Sequence, residues 1–90
     1  MRFKVVHLCQ RSAVSAIPQE SVRVDLERTA EELQERGYAV KRSEVMLEAS
    51  KVISATIYPN GRLMIHPVHD KKEGEEIART IYDLVVLEPR

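Results

Sequence analysis

The tripeptide Pro59-Asn60-Gly61 stands between two β-prone runs, Lys51 to Tyr58 and Arg62 to Val68. Proline presets φ for a turn and glycine accepts positive φ, so the two runs are predicted to fold back on each other as a β-hairpin. Successive strand residues point to opposite sides of a sheet. Ile53, Ala55, Ile57, Leu63 and Ile65 therefore form an apolar set for helices to cover. The alternate set is Val52, Ser54, Thr56, Tyr58, Arg62, Met64 and His66, which mixes hydroxyls, an aromatic ring, a thioether and a cation. A sheet with that set uncovered presents a surface suited to binding.

The rest of the chain supplies what the hairpin needs to pack against. Val22, Leu26, Ala30 and Leu33 recur at helical spacing, with Ser21 or Asp25 placed to cap the start and Gly37 where a left-handed C-terminal cap belongs. Asp70 followed by Glu73 forms an acidic capping box, after which Ile77, Ile81, Leu84 and Val85 share a face until Pro89. Phe3 to Cys9 is β-prone, and the run from there to Glu20 reads as the strand's end plus a connection. Tyr38 to Met46 alternates as a second strand, with Leu47 to Ser50 as its turn, or as a strand split in two. The expected fold is α+β in the order β-α-β-β-β-α: an antiparallel four- or five-stranded sheet with two helices on one face, forming a single domain over residues 1–90.

Composition narrows the functional classes. Ninety residues that are 43% hydrophobic and 31% charged can form one core but not two, and are too apolar for a disordered chain. Lysine plus arginine balance aspartate plus glutamate at 14 each, so no global field draws the chain to nucleic acid or an anionic membrane, and any such contact needs a local patch. Arg2, Lys4, Arg11 and Arg23 give the first segment a basic bias, whereas the two helices read as acidic. Cys9, the sole cysteine, has no partner for an internal disulfide, and no long apolar run marks a signal peptide or a membrane span. A cytoplasmic location and no membrane partner are expected.

The stretch Ala55-Thr-Ile-Tyr58-Pro-Asn-Gly61-Arg62-Leu-Met-Ile65, followed by an acidic-capped amphipathic helix, resembles the second half of one repeat of the TATA-box-binding protein. The preceding elements fall in the same order as in that repeat. The resemblance implies that Tyr58 occupies the place of an aromatic that wedges between base steps and Arg62 that of a basic residue near the nucleic acid. Tyrosine here stands for the family's phenylalanine, Pro67 lies near a family glycine, strand one carries no asparagine, and there is no second tandem repeat. Because the family builds its saddle from two repeats side by side, the resemblance also implies a homo-oligomer.

Other constellations point to chemistry less specifically. His7 and Cys9 lie two apart on one strand and His66 and His69 three apart near the end of another, a residue set that suits zinc. Their spacing matches no finger or ribbon, so ordinary packed side chains are expected and no metal or cofactor. A nucleophilic Cys9 served by His7 or His66, oriented by Asp70, requires an adjacency that nothing in the sequence dictates. The glutamates at 27, 31, 35, 73, 75 and 76 have the spacing of a solvated helix face. Arg11 to Pro18 lacks the glycines of a phosphate-binding loop. The sequence thus reads as a non-enzymatic binding module whose open sheet face takes nucleic acid or a protein partner. Its site residues are Tyr58, Arg62, Met64 and His66, with Lys4 and Arg2 adding charge. The alternative is an enzyme-accessory, small-ligand or metal-binding domain built on Cys9 and the histidines.

Overall fold

A computed structural model describes residues 2–8, 12–68 and 70–88, with only the backbone of His7 and Leu8. Its elements are strands β1 (Phe3–Leu8) and β2 (Ala13–Pro18), helix α1 (Leu26–Glu35), strands β3 (Ala39–Arg42), β4 (Leu47–Ser50), β5 (Ser54–Ile57) and β6 (Leu63–His66), and helix α2 (Lys71–Tyr82). All six strands form one antiparallel sheet in the order β1-β2-β6-β5-β4-β3. The class is α+β as expected, but the strand count is six rather than four or five.

Two strands were hidden in segments read as connections. Ala13 to Pro18 is β2, which lies between β1 and β6. Ala13, Val14, Ser15 and Ala16 are all buried, Val14 and Ala16 on the helix-covered face and Ala13 and Ser15 on the other. A composition that reads as loop is here a fit to a crowded position, since strand preference reflects packing context more than backbone tendency. Leu47 to Ser50, read as a turn, is β4, in which Leu47 and Ala49 are buried while Glu48 and Ser50 face solvent. The turn sits earlier, where the Ser43 hydroxyl accepts from the amides of Val45 and Met46. Val52, assigned above to a strand, lies in the bend before β5 and is 91% exposed.

Both helices start on an aspartate. Asp25 accepts from the Arg28 amide at 3.1 Å, and Asp70 accepts from the Glu73 amide at 2.8 Å, satisfying donors that the first helical turn leaves free. Of the two caps open to α1, the chain uses Asp25. Gly37, at φ 90, ends that helix as read. The second helix stops at Tyr82, so Leu84 and Val85 fall beyond it yet still pack on the core. The chain then returns to the start of α1. The Val86 amide donates to Thr29 Oγ1 at 2.9 Å, the Asp25 amide donates to the Val86 carbonyl at 2.8 Å, and Val24 bridges Leu87.

Helix α2 lies over β1, β2 and β6, and α1 over β3 and β4. Both cover the face containing Val14, Ala16, Leu47, Ala49, Ala55, Ile57, Leu63 and Ile65, each 0% or 1% exposed. The hairpin set predicted to face the helices does so, with Ile53 partly buried at its margin. The other sheet face carries no helix. Among the described residues no helix is long and apolar enough to cross a membrane.

Candidate functional site on the uncovered sheet face

Strand register places the side chains of the uncovered face in rows that cross the sheet. One row runs through all six strands as Val6, Ser15, Met64, Thr56, Glu48 and Lys41. On one side of it Lys4 pairs with Ile17, and the Tyr58 amide donates to the Arg62 carbonyl at 2.9 Å, carrying the hairpin pairing one step past its ladder. On the other side His66, Ser54, Ser50 and Ala39 follow one another across β6, β5, β4 and β3. Tyr58, Arg62, Met64, His66 and Lys4 therefore share this face.

The face is uneven. Val6 and Ile17 are 37% and 39% exposed, whereas Ser15 is 1% exposed although no helix lies over it. Arg62 accounts for that burial. Its Nε donates to Ser15 Oγ at 3.2 Å, so the guanidinium reaches across onto β2. The Arg62 backbone is held as well, its amide donating to Asn60 Oδ1 at 2.9 Å. Beside it Tyr58, Pro59, Asn60, Arg62 and Met64 line a shallow hollow at the hairpin's turn end.

Along these rows the charges are Lys4, Lys41 and Arg62 against Glu48, which lies directly across from Lys41. Helix α1 carries Glu27, Glu31, Glu32 and Glu35 against Arg28 within its bounds. Helix α2 is balanced, since Lys71, Lys72 and Arg79 match Glu73, Glu75 and Glu76. The expectation of two acidic helices thus holds for α1 alone, and the molecule's acidic pole lies behind β3 and β4.

Arg2 is separated from the other five residues. It lines a hollow with Phe3, Val5, Gln19, Glu75 and Arg79, on the α2 side of the edge strand. Of the histidine and cysteine set, Cys9 and His69 lie outside the described residues. In the strand register His7 pairs with Val14, which pairs with Ile65, whereas His66 pairs with Ser54, so the two histidines fall in different rows. Among the described residues no three of His, Cys, Asp and Glu are gathered as a metal site.

Sequence reasoning missed Ser15, Ile17 and Lys41. Ser15 and Ile17 belong to β2, which composition disguised, and the Arg62–Ser15 contact joins residues 47 apart in sequence. The signal that could have found them is the Val14, Ala16 alternation with Ser15 and Ile17. Fold and site together define an α+β protein with an open antiparallel sheet, two helices behind it and a mixed cationic, apolar and aromatic face in front. No family model matches the chain, and no curated protein or solved structure matches it either.

Proposed function

We propose that this protein is a non-enzymatic binding module that holds nucleic acid on its uncovered sheet face. The observation that carries the reading is the composition of that face: Tyr58, Met64, Val6 and Ile17 offer surfaces for bases or sugars, and Lys4, Lys41 and Arg62 offer cations for phosphates, against one acid. The likeness of Ala55 to Ile65 to a TATA-box-binding-protein repeat supports it, as does the element order from β2 to α2 with both helices on one face. The lone Cys9 fits a reducing compartment such as the cytoplasm.

With so few cations the affinity is modest and falls with salt at a slope set by about two to four phosphate contacts per chain. Fluorescence anisotropy at low salt with labelled single-stranded and duplex DNA and RNA tests this. Tyr58→Ala weakens binding by about 1–3 kcal/mol if a base stacks on the ring, and Arg62→Ala flattens the salt dependence. Absence of binding to every one of these probes defeats the reading and turns the same face over to a search for protein partners.

A further inference from the structure

The hollow at the turn end of the hairpin combines three groups that recognise different parts of one nucleotide. Tyr58 is half-buried and lines the hollow beside Arg62 and Met64. An aromatic ring lining a hollow is a platform on which an unpaired base can stack. Arg62 is held at two points, by Asn60 through its backbone amide and by Ser15 through Nε. The Ser15 contact uses the donor nearest the chain and leaves the two terminal amino groups of the guanidinium for an oxyanion, which they can grip as a fork. Asn60 spends its carbonyl oxygen on the Arg62 amide, so its NH2 group remains as a donor at the hollow's rim. The recess, about 520 Å³, has the size of a small-ligand site.

We propose that this hollow seats one nucleotide of a single strand, with the base on Tyr58, the phosphate on the Arg62 fork, and the Asn60 amide donating to an acceptor of the same nucleotide. Ser15 is the positioning residue that aims Arg62. The proposal rests on the nucleic-acid reading and narrows it from nucleic acid at large to single strands. Charge decides the class of occupant, because the adjoining rows add Lys4 and Lys41 with only Glu48 opposed. The rest of the strand then runs along a face that attracts its phosphates.

The test titrates labelled oligothymidine, oligouridine and a duplex DNA into the wild-type protein and three variants, with thermal melts confirming that each variant folds. Both single strands are expected to bind at least about tenfold tighter than the duplex. A preference between the two strands separates an RNA from a DNA ligand. Asn60→Asp keeps the oxygen that holds the turn while replacing the NH2 donor, and is expected to weaken single-strand binding about tenfold with an unchanged melt. Arg62→Ala lowers the salt slope by about one. Ser15→Ala is expected to weaken single-strand binding severalfold at an unchanged salt slope and an unchanged melt, whereas a merely structural serine would lower the melt and leave the affinity of the folded protein as it was. Failure of the wild type to bind any strand overturns both readings. Duplex binding as tight as single-strand binding, or full single-strand affinity in Asn60→Asp and Ser15→Ala, overturns the nucleotide seat and leaves the broader reading standing.

Discussion

The Tyr82 hydroxyl reaches from the end of α2 to the carbonyls of Gly61 at 2.7 Å and Ala16 at 3.2 Å, joining a helix, the hairpin turn and strand β2. Its ring packs on Phe3 with centroids 4.9 Å apart, and the Arg79 guanidinium lies over the Phe3 ring at 5.7 Å. Tyr82→Phe keeps the packing and removes the hydroxyl that donates to these carbonyls, so it should cost about 1–3 kcal/mol in urea unfolding. Burial also pushes the Tyr82 hydroxyl well above its ordinary pKa of 10.0. A group whose folded pKa is raised loses its contribution as pH climbs past the unfolded value, because the unfolded chain then releases a proton that the folded chain retains. Stability should therefore fall above about pH 10, and less steeply in Tyr82→Phe, as pH-dependent melts would show. Gly61 completes this junction. At φ 90, a Cβ there would lie 2.6 Å from Val22 Cγ2 and 2.8 Å from Pro18 Cγ, so Gly61→Ala meets both backbone strain and a clash. The expected loss is at least about 2 kcal/mol, and an unfolding midpoint equal to wild type would contradict the packing described.

Helix α2 comes close to the sheet at Gly74. A Cβ at that position would stand 2.7 Å from Val14 Cγ2 and 3.0 Å from Cγ1. Alanine is favoured over glycine in a helix by about 1 kcal/mol, but valine is stiff at χ1 and cannot swing clear. Gly74→Ala is thus expected to destabilise by about 1–3 kcal/mol through overpacking. Paired with Val14→Ala, it should cost less than the sum of the two single changes, and a stabilised Gly74→Ala would refute the close approach. The same contact explains what the sequence disclosed and what it withheld. Helices α1 and α2 announced themselves by Asp25 and Asp70 ahead of periodic apolar residues, and the hairpin by Pro59-Asn60-Gly61, because caps and turns are set by residues a few positions apart. Strand β2 gave no such signal. Its residues answer to partners on either face, Val14 to Gly74 and Ser15 to the Arg62 side chain, some 60 and 47 positions away. The site divides along the same line. Alternation alone put Tyr58, Arg62, Met64 and His66 on one face, while the Ser15 anchor and the departure of Arg2 toward Glu75 and Arg79 depended on which strands and helices become neighbours.

The sheet ends in two unlike edges, and the difference bears on assembly. Strand β3 is four residues long, with exposed Lys41 and Arg42 that discourage pairing. Strand β1 is six residues long and bonded to β2 on one side, with Val5 and Val6 at its middle and Lys4 as its one charged residue. An outer row of backbone donors and acceptors along such a strand is a template for another strand, and a second copy brings an identical row about a two-fold axis. Pairing of β1 with its symmetry mate, with the axis normal to the sheet, keeps all helices on one side and joins two uncovered faces into one. Val6, 37% exposed on that face, then lies beside the seam with Ile17. The expected state is a homodimer of twice the 10.3 kDa chain by light scattering. Val6→Lys adds a charge at the seam without touching the helix-covered core, and should shift the protein toward monomer while its melt, extrapolated to low concentration, changes little. Dimerisation doubles the cations presented to one ligand, so the salt slope for a long single strand should steepen with the dimer and relax in Val6→Lys even though that variant gains a positive charge. A wild-type protein that stays at 10.3 kDa at high concentration would remove the support for β1 pairing, and the face would then act as one chain's surface alone.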